Sequence, residues 1–189
     1  MLAAIARWEL AICGVLFFGG LLANHIRIRR SVRAPARRLA TAAASDWGLA
    51  LQSLGLVIAI ALPGSTDPDA AVALAAMGLA AAAVVLGWLA AWHLGRHWRI
   101  RAVVTEDHEL VTGGPFRLVR HPVYCSILGL LTATVLVITR WPAALAALAV
   151  YVAGTEIRVR AEDQLLARRF PETFPAYRAR VRAYIPWIR

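Results

Sequence analysis

Apolar stretches of nearly membrane-spanning length are the feature that most limits how this chain can fold. Crossing a hydrocarbon core of about 30 Å takes about 20 helical residues. Five stretches come close to that length: about Ile5 to His25, Trp47 to Leu62, Ala70 to Leu94, about Val123 to Thr139, and Trp141 to about Ile157. With 60% hydrophobic residues, against about 45 to 50% in an average soluble domain, they predict an all-α integral membrane protein with five transmembrane helices.

The connections after the third stretch add detail to this fold. Only Arg140 separates the fourth stretch from the fifth, which predicts a tight antiparallel helical hairpin. Beyond the fifth, residues 158 to 189 mix apolar side chains with Arg, Glu and Gln. That pattern predicts a C-terminal amphipathic helix on the cytosolic side, interrupted at Pro171 and Pro175. The Ala- and Gly-rich third stretch is typical of a closely packed central helix.

The positions of the cationic residues predict the orientation. All 21 are arginines, and the net charge is +10. They crowd the first connection, HIRIRRSVRAPARR, the third connection and the C-terminal tail, whereas the second connection, PGSTDPD, has none. Because cytoplasmic loops carry the excess of arginine, the N-terminus is expected outside and the C-terminus in the cytosol. Arginines at the ends of apolar segments indicate a lipid bilayer as partner and argue against nucleic acid.

One connection is unusually rich in polar residues. The stretch HELVTGGPFRLVRHPVY runs from His108 to Tyr124. Its paired glycines and two prolines allow sharp turns that expose backbone N–H groups, and such groups beside Arg and His suit an anionic or polar ligand. Arg158 and Glu162, four residues apart, share one helix face at the far end of the hairpin. An isolated surface ion pair is the simpler interpretation of those two, but their place beside the polar connection favours a functional one.

These motifs resemble those of the isoprenylcysteine carboxyl methyltransferase family and its phospholipid methyltransferase relatives. The shared pattern is H-x-L-V-x-x-G-P-aromatic-R, then R-H-P-x-Y, an apolar hairpin, and R-x-x-x-E followed by a second acid. It occurs in that order over roughly residues 88 to 187. The resemblance implies a bundle of membrane helices with S-adenosylmethionine bound in a pocket that faces the cytosol.

The resemblance also implies roles for single residues. The cofactor-binding positions that it assigns are His108, Leu110, Val111, Gly114, His121, Tyr124 and Glu162. Nearest the methyl acceptor it places Arg158, Glu162 and Arg120. Several positions depart from the pattern. The second acid is Asp163 instead of Glu, Phe116 stands where Tyr is common, Pro171 replaces the Gly of F-G-x-x-Y, and Ser126 stands where Gly is frequent.

The expected activity is therefore methyl transfer to a lipidic acceptor, a prenylcysteine-like carboxylate or another isoprenoid or lipid, at the cytosolic face. A carboxylate needs no general base, whereas an amine or thiol would need Glu162 or a histidine to take its proton. Composition rich in Ala and Arg favours a bacterial inner membrane. Residues 1–69 are interpreted as two N-terminal helices with a basic connection, and residues 70–189 as the methyltransferase core. The sequence does not define the oligomeric state.

Three other functions stay open at this point. A sterol-reductase-like enzyme that uses NADPH has a similar R-H-P-x-Y segment, but Gly and an acidic residue commonly follow its tyrosine, where this chain has Cys125, Ser126 and Ile127. A metal enzyme could use His93 and His97, although aromatic neighbours favour an interfacial belt for them, and no metal ligands are predicted. A lipid-binding scaffold would explain the basic first connection but not the ordered motifs.

Overall fold

The computed structural model of the chain describes residues 1–31, 38–41, 43–64, 67–98, 103–105 and 109–184. Six α-helices occupy most of these residues. Their bounds are Leu2–Ser31 (α1), Ala44–Ala61 (α2), Ala70–Leu94 (α3), Pro122–Val137 (α4), Trp141–Arg169 (α5) and Thr173–Arg180 (α6). Short 3-10 helices cover Gly95–His97 and Gly114–Arg117.

The long apolar helices confirm an integral membrane protein. Among the described residues, α1, α2, α3 and α5 are long and apolar enough to cross a membrane. Helix α4 has 16 residues and is therefore only about 24 Å long at 1.5 Å per residue, which is shorter than the hydrocarbon core. The predicted number of five spans is thus not confirmed. The helix begins at Pro122, one residue before the expected start, and ends at Val137, two residues before the expected end at Thr139.

The predicted hairpin is present at the end of the bundle opposite the polar connection. Three residues, Ile138 to Arg140, join α4 to α5. The backbone N–H of Gly64 donates to the carbonyl oxygen of Ile138 at 2.7 Å, and the Thr139 hydroxyl donates to the carbonyl oxygen of Ala59 at 2.7 Å. The α2–α3 connection and the hairpin turn therefore lie together.

Small residues allow the helices to approach closely. Helix α3 packs on α1 and α4 through a buried row of Ala73, Ala76, Ala80, Ala83, Gly87, Ala90 and Ala91, as its composition predicts. A second close interface, between α2 and α5, was not predicted. A Cβ atom on Gly154 would lie 2.6 Å from the carbonyl oxygen of Gly48, so only glycine fits there. In lipid, packing of this kind replaces the hydrophobic drive between helices.

A short antiparallel ladder accompanies the helices of this predominantly α-helical fold. Strand β1, Arg38–Thr41, pairs with strand β2, Val103–Thr105. The first strand belongs to the first basic connection and the second to the third. Both basic connections therefore lie at one end of the bundle, as the alternation of charge requires.

The C-terminal region is only partly as predicted. Helix α5 continues past the expected end of the fifth span, about Ile157, to Arg169, and α6 begins at Thr173. Pro171 lies at the predicted break, whereas Pro175 lies inside the first turn of α6, where no intrahelical N–H is needed. Helix α6 buries Phe174 and Tyr177. A single amphipathic helix is therefore not confirmed.

Candidate active site

A cavity of about 450 Å³ lies at the end of the bundle that carries the basic connections. Its walls come from α1, α2, the end of α3, the segment from residue 109 to the start of α4, α5 and α6. The side chains that give it its chemical character are Phe18, Leu21, Leu22, Leu49, Gln52, His97, Glu109, Leu110, Val111, Phe116, Arg120, His121, Tyr124, Arg158, Glu162 and Tyr177. The cavity combines an apolar side with a cluster of charged groups.

Most of the predicted site residues meet at this cavity. Seven of them line it: Leu110, Val111, Arg120, His121, Tyr124, Arg158 and Glu162. Segments far apart in the chain are brought together because the hairpin returns α5 beside the start of α4. His108 lies outside the described residues, and Gly114 does not line the cavity. Their roles in cofactor binding stay predictions.

Gly114 shapes the turn before α4. Its φ angle is +57°, a left-handed conformation that glycine adopts without strain. Any Cβ atom here would collide with the imidazole of His93, whose Nδ1 lies 2.7 Å from the carbonyl oxygen of Leu89. The glycine therefore lets the polar turn pack directly against the end of α3.

Glu162 is the centre of the charged cluster. Its Oε1 accepts a hydrogen bond from the Tyr124 hydroxyl and lies 3.4 Å from Nη2 of Arg158, while its Oε2 lies 3.4 Å from Nδ1 of His121. The Glu162 side chain is 21% exposed and that of Arg158 only 5%. The Arg158–Glu162 pair is therefore not an exposed surface ion pair, and Glu162 is the member of the pair with more surface open to a ligand.

Tyr124 links the two charges of that pair. The Nε of Arg158 donates to the Tyr124 hydroxyl oxygen at 2.7 Å, and the hydroxyl proton goes to Glu162. The guanidinium carbon of Arg158 also lies 5.2 Å from the centroid of the Tyr124 ring, within cation–π range. The phenol thus fixes the relative positions of the guanidinium and the carboxylate.

His121 bridges two carboxylates. Its Nε2 lies 3.1 Å from Oδ1 of Asp163, and its Nδ1 faces Glu162. Burial disfavours the imidazolium, but hydrogen bonds to Asp163 and Glu162 outweigh this effect and raise the pKa of His121 above 6.5. Because each ring nitrogen faces a carboxylate, the doubly protonated ring is the form in which both nitrogens donate, one to Asp163 and one to Glu162.

Arg120 is engaged with Asp163 and the C-terminal segment. Its Nη2 donates to Oδ2 of Asp163 at 2.7 Å, and its Nη1 donates to the carbonyl oxygens of Val181 and Arg178. These contacts favour a role in holding the site together. The predicted place of Arg120 beside the methyl acceptor stays a prediction.

The C-terminal segment, residues 181 to 184, closes one side of the R-H-P turn. Backbone N–H groups of Arg120 and His121 donate to the carbonyl oxygens of Arg182 and Ala183 at 2.7 and 2.8 Å. The thiol of Cys125 donates to the carbonyl oxygen of Tyr184 at 2.9 Å. The tail is therefore part of the site's framework.

Two further residues of the site were not predicted. Asp163 had been considered only as a departure from the family pattern. Gln52, which is 5% exposed, donates from Nε2 to the Thr155 hydroxyl at 2.8 Å and lines the cavity. A glutamine inside an apolar span is a signal that could have identified it, because polar groups in membrane helices are costly and tend to be functional.

Comparison with known proteins gives the family. Residues 75–168 match the model of the "Isoprenylcysteine carboxyl methyltransferase (ICMT) family". This chain belongs to that family. The matched residues include α4, most of α5 and the polar turn, and thus most of the charged cluster. Membership in the ICMT family supports a membrane methyltransferase-like enzyme.

Two curated relatives carry names from metal resistance. The nickel-cobalt-cadmium resistance protein of Alcaligenes xylosoxydans xylosoxydans is 34% identical over 111 residues, which are 58% of this chain and 47% of that protein. The cobalt-zinc-cadmium resistance protein of Cupriavidus metallidurans is also 34% identical over 111 residues, with 58% and 46% covered. The chain thus spans about half the length of each. Within the described residues, no group of three or more His, Cys, Asp and Glu side chains could hold a metal ion.

Proposed function

We propose that this ICMT-family protein transfers a methyl group from S-adenosylmethionine to a lipidic acceptor at the cytosolic face of a bacterial inner membrane. The observation that carries the proposal is the buried Arg158–Tyr124–Glu162–His121 network in the wall of a cavity between apolar helices. The acceptor class is a prenylcysteine-like carboxylate or another isoprenoid or lipid. Family membership supports methyl transfer as the reaction type. The charged cluster and the apolar side of the cavity support S-adenosylmethionine and a lipidic acceptor as its ligands.

The cavity suits S-adenosylmethionine in size and in chemistry. Its volume of about 450 Å³ lies within the range of about 300 to 1,000 Å³ that is common for small-molecule sites. An amino-acid group needs an anion for its ammonium and a cation for its carboxylate, and Glu162 and His121 lie together in the cavity wall. Aromatic rings of Phe116, Tyr124 and Tyr177 also face the cavity, and such faces attract cations and flat rings.

The protein's share of the reaction is positioning. When bound, the cofactor supplies a methyl group on a sulfonium sulfur, and displacement leaves a neutral thioether. Residues of the site must hold the acceptor in line with that methyl and exclude water, which is the proximity effect. Arg158 can hold an acceptor carboxylate by charge-assisted hydrogen bonds. No proton leaves a carboxylate, whereas an amine or a thiol would transfer its proton to Glu162 or a histidine.

The apolar side of the cavity supports a lipidic acceptor. Phe18, Leu21 and Leu22 of α1 and Leu49 of α2 form this side, and both helices are long enough to lie in the hydrocarbon region. An acyl or prenyl tail can therefore remain in an apolar environment while its polar end approaches Arg158. A soluble acceptor would gain nothing from this arrangement.

Methyl transfer in membranes tests the proposal. Membranes that contain the protein are incubated with S-adenosylmethionine labelled in the methyl group, and label is counted in the organic extract. We expect more label in the extract than from membranes without the protein. Arg158→Gln should reduce the incorporated label by at least about 90%, since a charged hydrogen bond of roughly 1.5 to 3 kcal/mol is removed. Arg160→Gln should change it little.

Arg160 is the matched control because it lies on the same helix but is exposed and pairs with Glu156. The chemistry of the labelled product identifies the acceptor, since base releases the methyl of a carboxyl ester but not that of an amine or thioether. Extracts without label above background would contradict a lipidic acceptor.

A further inference from the structure

Asp163 completes a line of charged groups that ends at the cavity. Its Oδ1 faces Nε2 of His121 at 3.1 Å, and the opposite nitrogen of that ring faces Glu162 at 3.4 Å. Asp163 does not line the cavity and is 5% exposed. It therefore acts on any ligand only through other side chains.

We propose that Asp163 is a positioning residue that, through the imidazole of His121, holds the Glu162 carboxylate against Tyr124 and Arg158. The inference rests on the proposed function, because it assigns the purpose of that arrangement to binding S-adenosylmethionine. The two acids are neighbours in the chain, but consecutive side chains on a helix point about 100° apart. His121 is the group that spans the two directions.

The two carboxylate oxygens of Asp163 contact different side chains. Oδ2 receives Nη2 of Arg120 at 2.7 Å, with Nε of Arg178 at 3.9 Å, and Oδ1 is left for the imidazole. Arg120 in turn donates to the carbonyl oxygen of Val181. One carboxylate thus holds both the imidazole and, through Arg120, the C-terminal segment.

The surroundings of His121 show what the imidazole depends on. It faces Asp163 and Glu162 of α5, stacks on Tyr124 of α4 at 5.6 Å between centroids and 15° between planes, and follows Arg120 in the chain. Arg158 and Arg178 contact its two carboxylates from α5 and α6. Within the part of the chain that the structure describes, two acids face the ring, so removal of the charge of Asp163 must weaken the protonated imidazole.

Asparagine at position 163 would remove the charge and keep the size. The carboxylate accepts from both the Arg120 guanidinium and the His121 imidazole. The amide of asparagine has only one oxygen that can accept, and its N–H₂ group would face the other of these two donors. Glutamate keeps the charge and adds one methylene. The pair of variants therefore separates the charge from the shape of the side chain.

Nitrogen-15 NMR of the histidine rings in the detergent-solubilised protein is the first readout, and it needs no ligand. The His121 signal is the one missing from a His121→Gln sample. We expect the midpoint of its titration to lie above 6.5 in the wild type, to fall by about one pH unit or more in Asp163→Asn, and to return toward the wild-type value in Asp163→Glu. Glu172→Gln, an exposed carboxylate-to-amide change, is expected to leave the midpoint unchanged.

The affinity for S-adenosylmethionine, measured by calorimetry at neutral pH, is the second readout. We expect about tenfold weaker binding in Asp163→Asn and recovery in Asp163→Glu. An unchanged midpoint in Asp163→Asn, or a lowered midpoint with unchanged affinity, would overturn the positioning role. If Asp163→Asn does not fold, Asp163→Glu decides: a midpoint below 6.5 in that variant would overturn the role. Absence of binding by the wild type would instead contradict the proposed function, while the titration still tests the link from Asp163 to His121.

Discussion

His121 makes the stability of the protein depend on pH at the scale of a single residue. Its pKa is raised in the folded protein, since its hydrogen bonds to the two carboxylates outweigh the cost of burial. The folded state therefore binds this proton more tightly than the unfolded chain does. The contribution of His121 is fully present below the ordinary pKa of about 6.5 and is lost as the pH rises through the raised pKa.

We expect the melting temperature of the detergent-solubilised protein to fall as the pH rises above the ordinary histidine pKa of about 6.5. Tryptophan fluorescence is a convenient measure, because the chain has seven tryptophans. The Asp163→Asn variant should show a smaller decrease over the same range, since its imidazole loses one anionic partner. A wild-type melting temperature that stays constant or increases over this range would contradict the assignment.

Residue identities allowed much of the site to be predicted, but not its hydrogen-bonding pattern. Tyr124, Arg158 and Glu162 could be chosen from motif positions, and they line the same cavity. The contacts of Arg120 with the carbonyl oxygens of Arg178 and Val181 and with Asp163 depend on the exact path of the backbone, which no local pattern specifies. Gln52 lies on α2, outside the residues that match the family, so the motifs gave no reason to select it.

Among the helices, the close contact between α2 and α5 limits which residues can stand in their interface. A Cβ atom on Gly154 would meet the Gly48 carbonyl oxygen at 2.6 Å and the backbone nitrogen of Gln52 at 2.8 Å. Both contacts are with backbone atoms, which cannot move away as a flexible side chain can. The same interface places Gln52 and Arg158 in the wall of the cavity.

We expect Gly154→Ala to destabilise the protein by about 1 to 3 kcal/mol, as overpacking commonly does. The matched control is Gly78→Ala in α3, where an added Cβ meets no atom within 4 Å and helix propensity favours alanine by up to about 1 kcal/mol. Both variants are compared by thermal unfolding in the same detergent. Equal stability of the two would contradict a rigid α2–α5 contact.

Helix boundaries could be predicted where the sequence has sharp signals. The third span agrees at both ends, because Asp69 caps α3 through its side chain and Gly95 follows the last residue at a φ of +47°. The fifth span is bounded at about Ile157 by the polarity that follows, whereas the helix that contains it, α5, continues to Arg169. Hydropathy indicates where lipid ends, which is a different point from where a helix ends.

At the scale of the whole molecule, the first two helices belong to the same structure as the family core. Helix α1 packs on α3 and α2 packs on α5, and both contribute walls to the cavity. The division into residues 1–69 and 70–189 stays a prediction, as do the outside N-terminus and the cytosolic C-terminus. Motifs identified the core because their order is specific, whereas the apolar N-terminal residues lack such motifs.

The proposed cofactor is tested most directly by calorimetry of the detergent-solubilised protein with S-adenosylmethionine, its demethylated product, and NADPH for comparison. We expect the wild type to bind S-adenosylmethionine and its demethylated product with micromolar affinity and not to bind NADPH. Glu162→Gln should weaken the binding of S-adenosylmethionine by about tenfold or more, because a charged partner is lost. The exposed Glu172→Gln should leave the affinity unchanged. Binding of NADPH alone would contradict the account and favour a reductase. Unchanged affinity in Glu162→Gln would remove that carboxylate from the site.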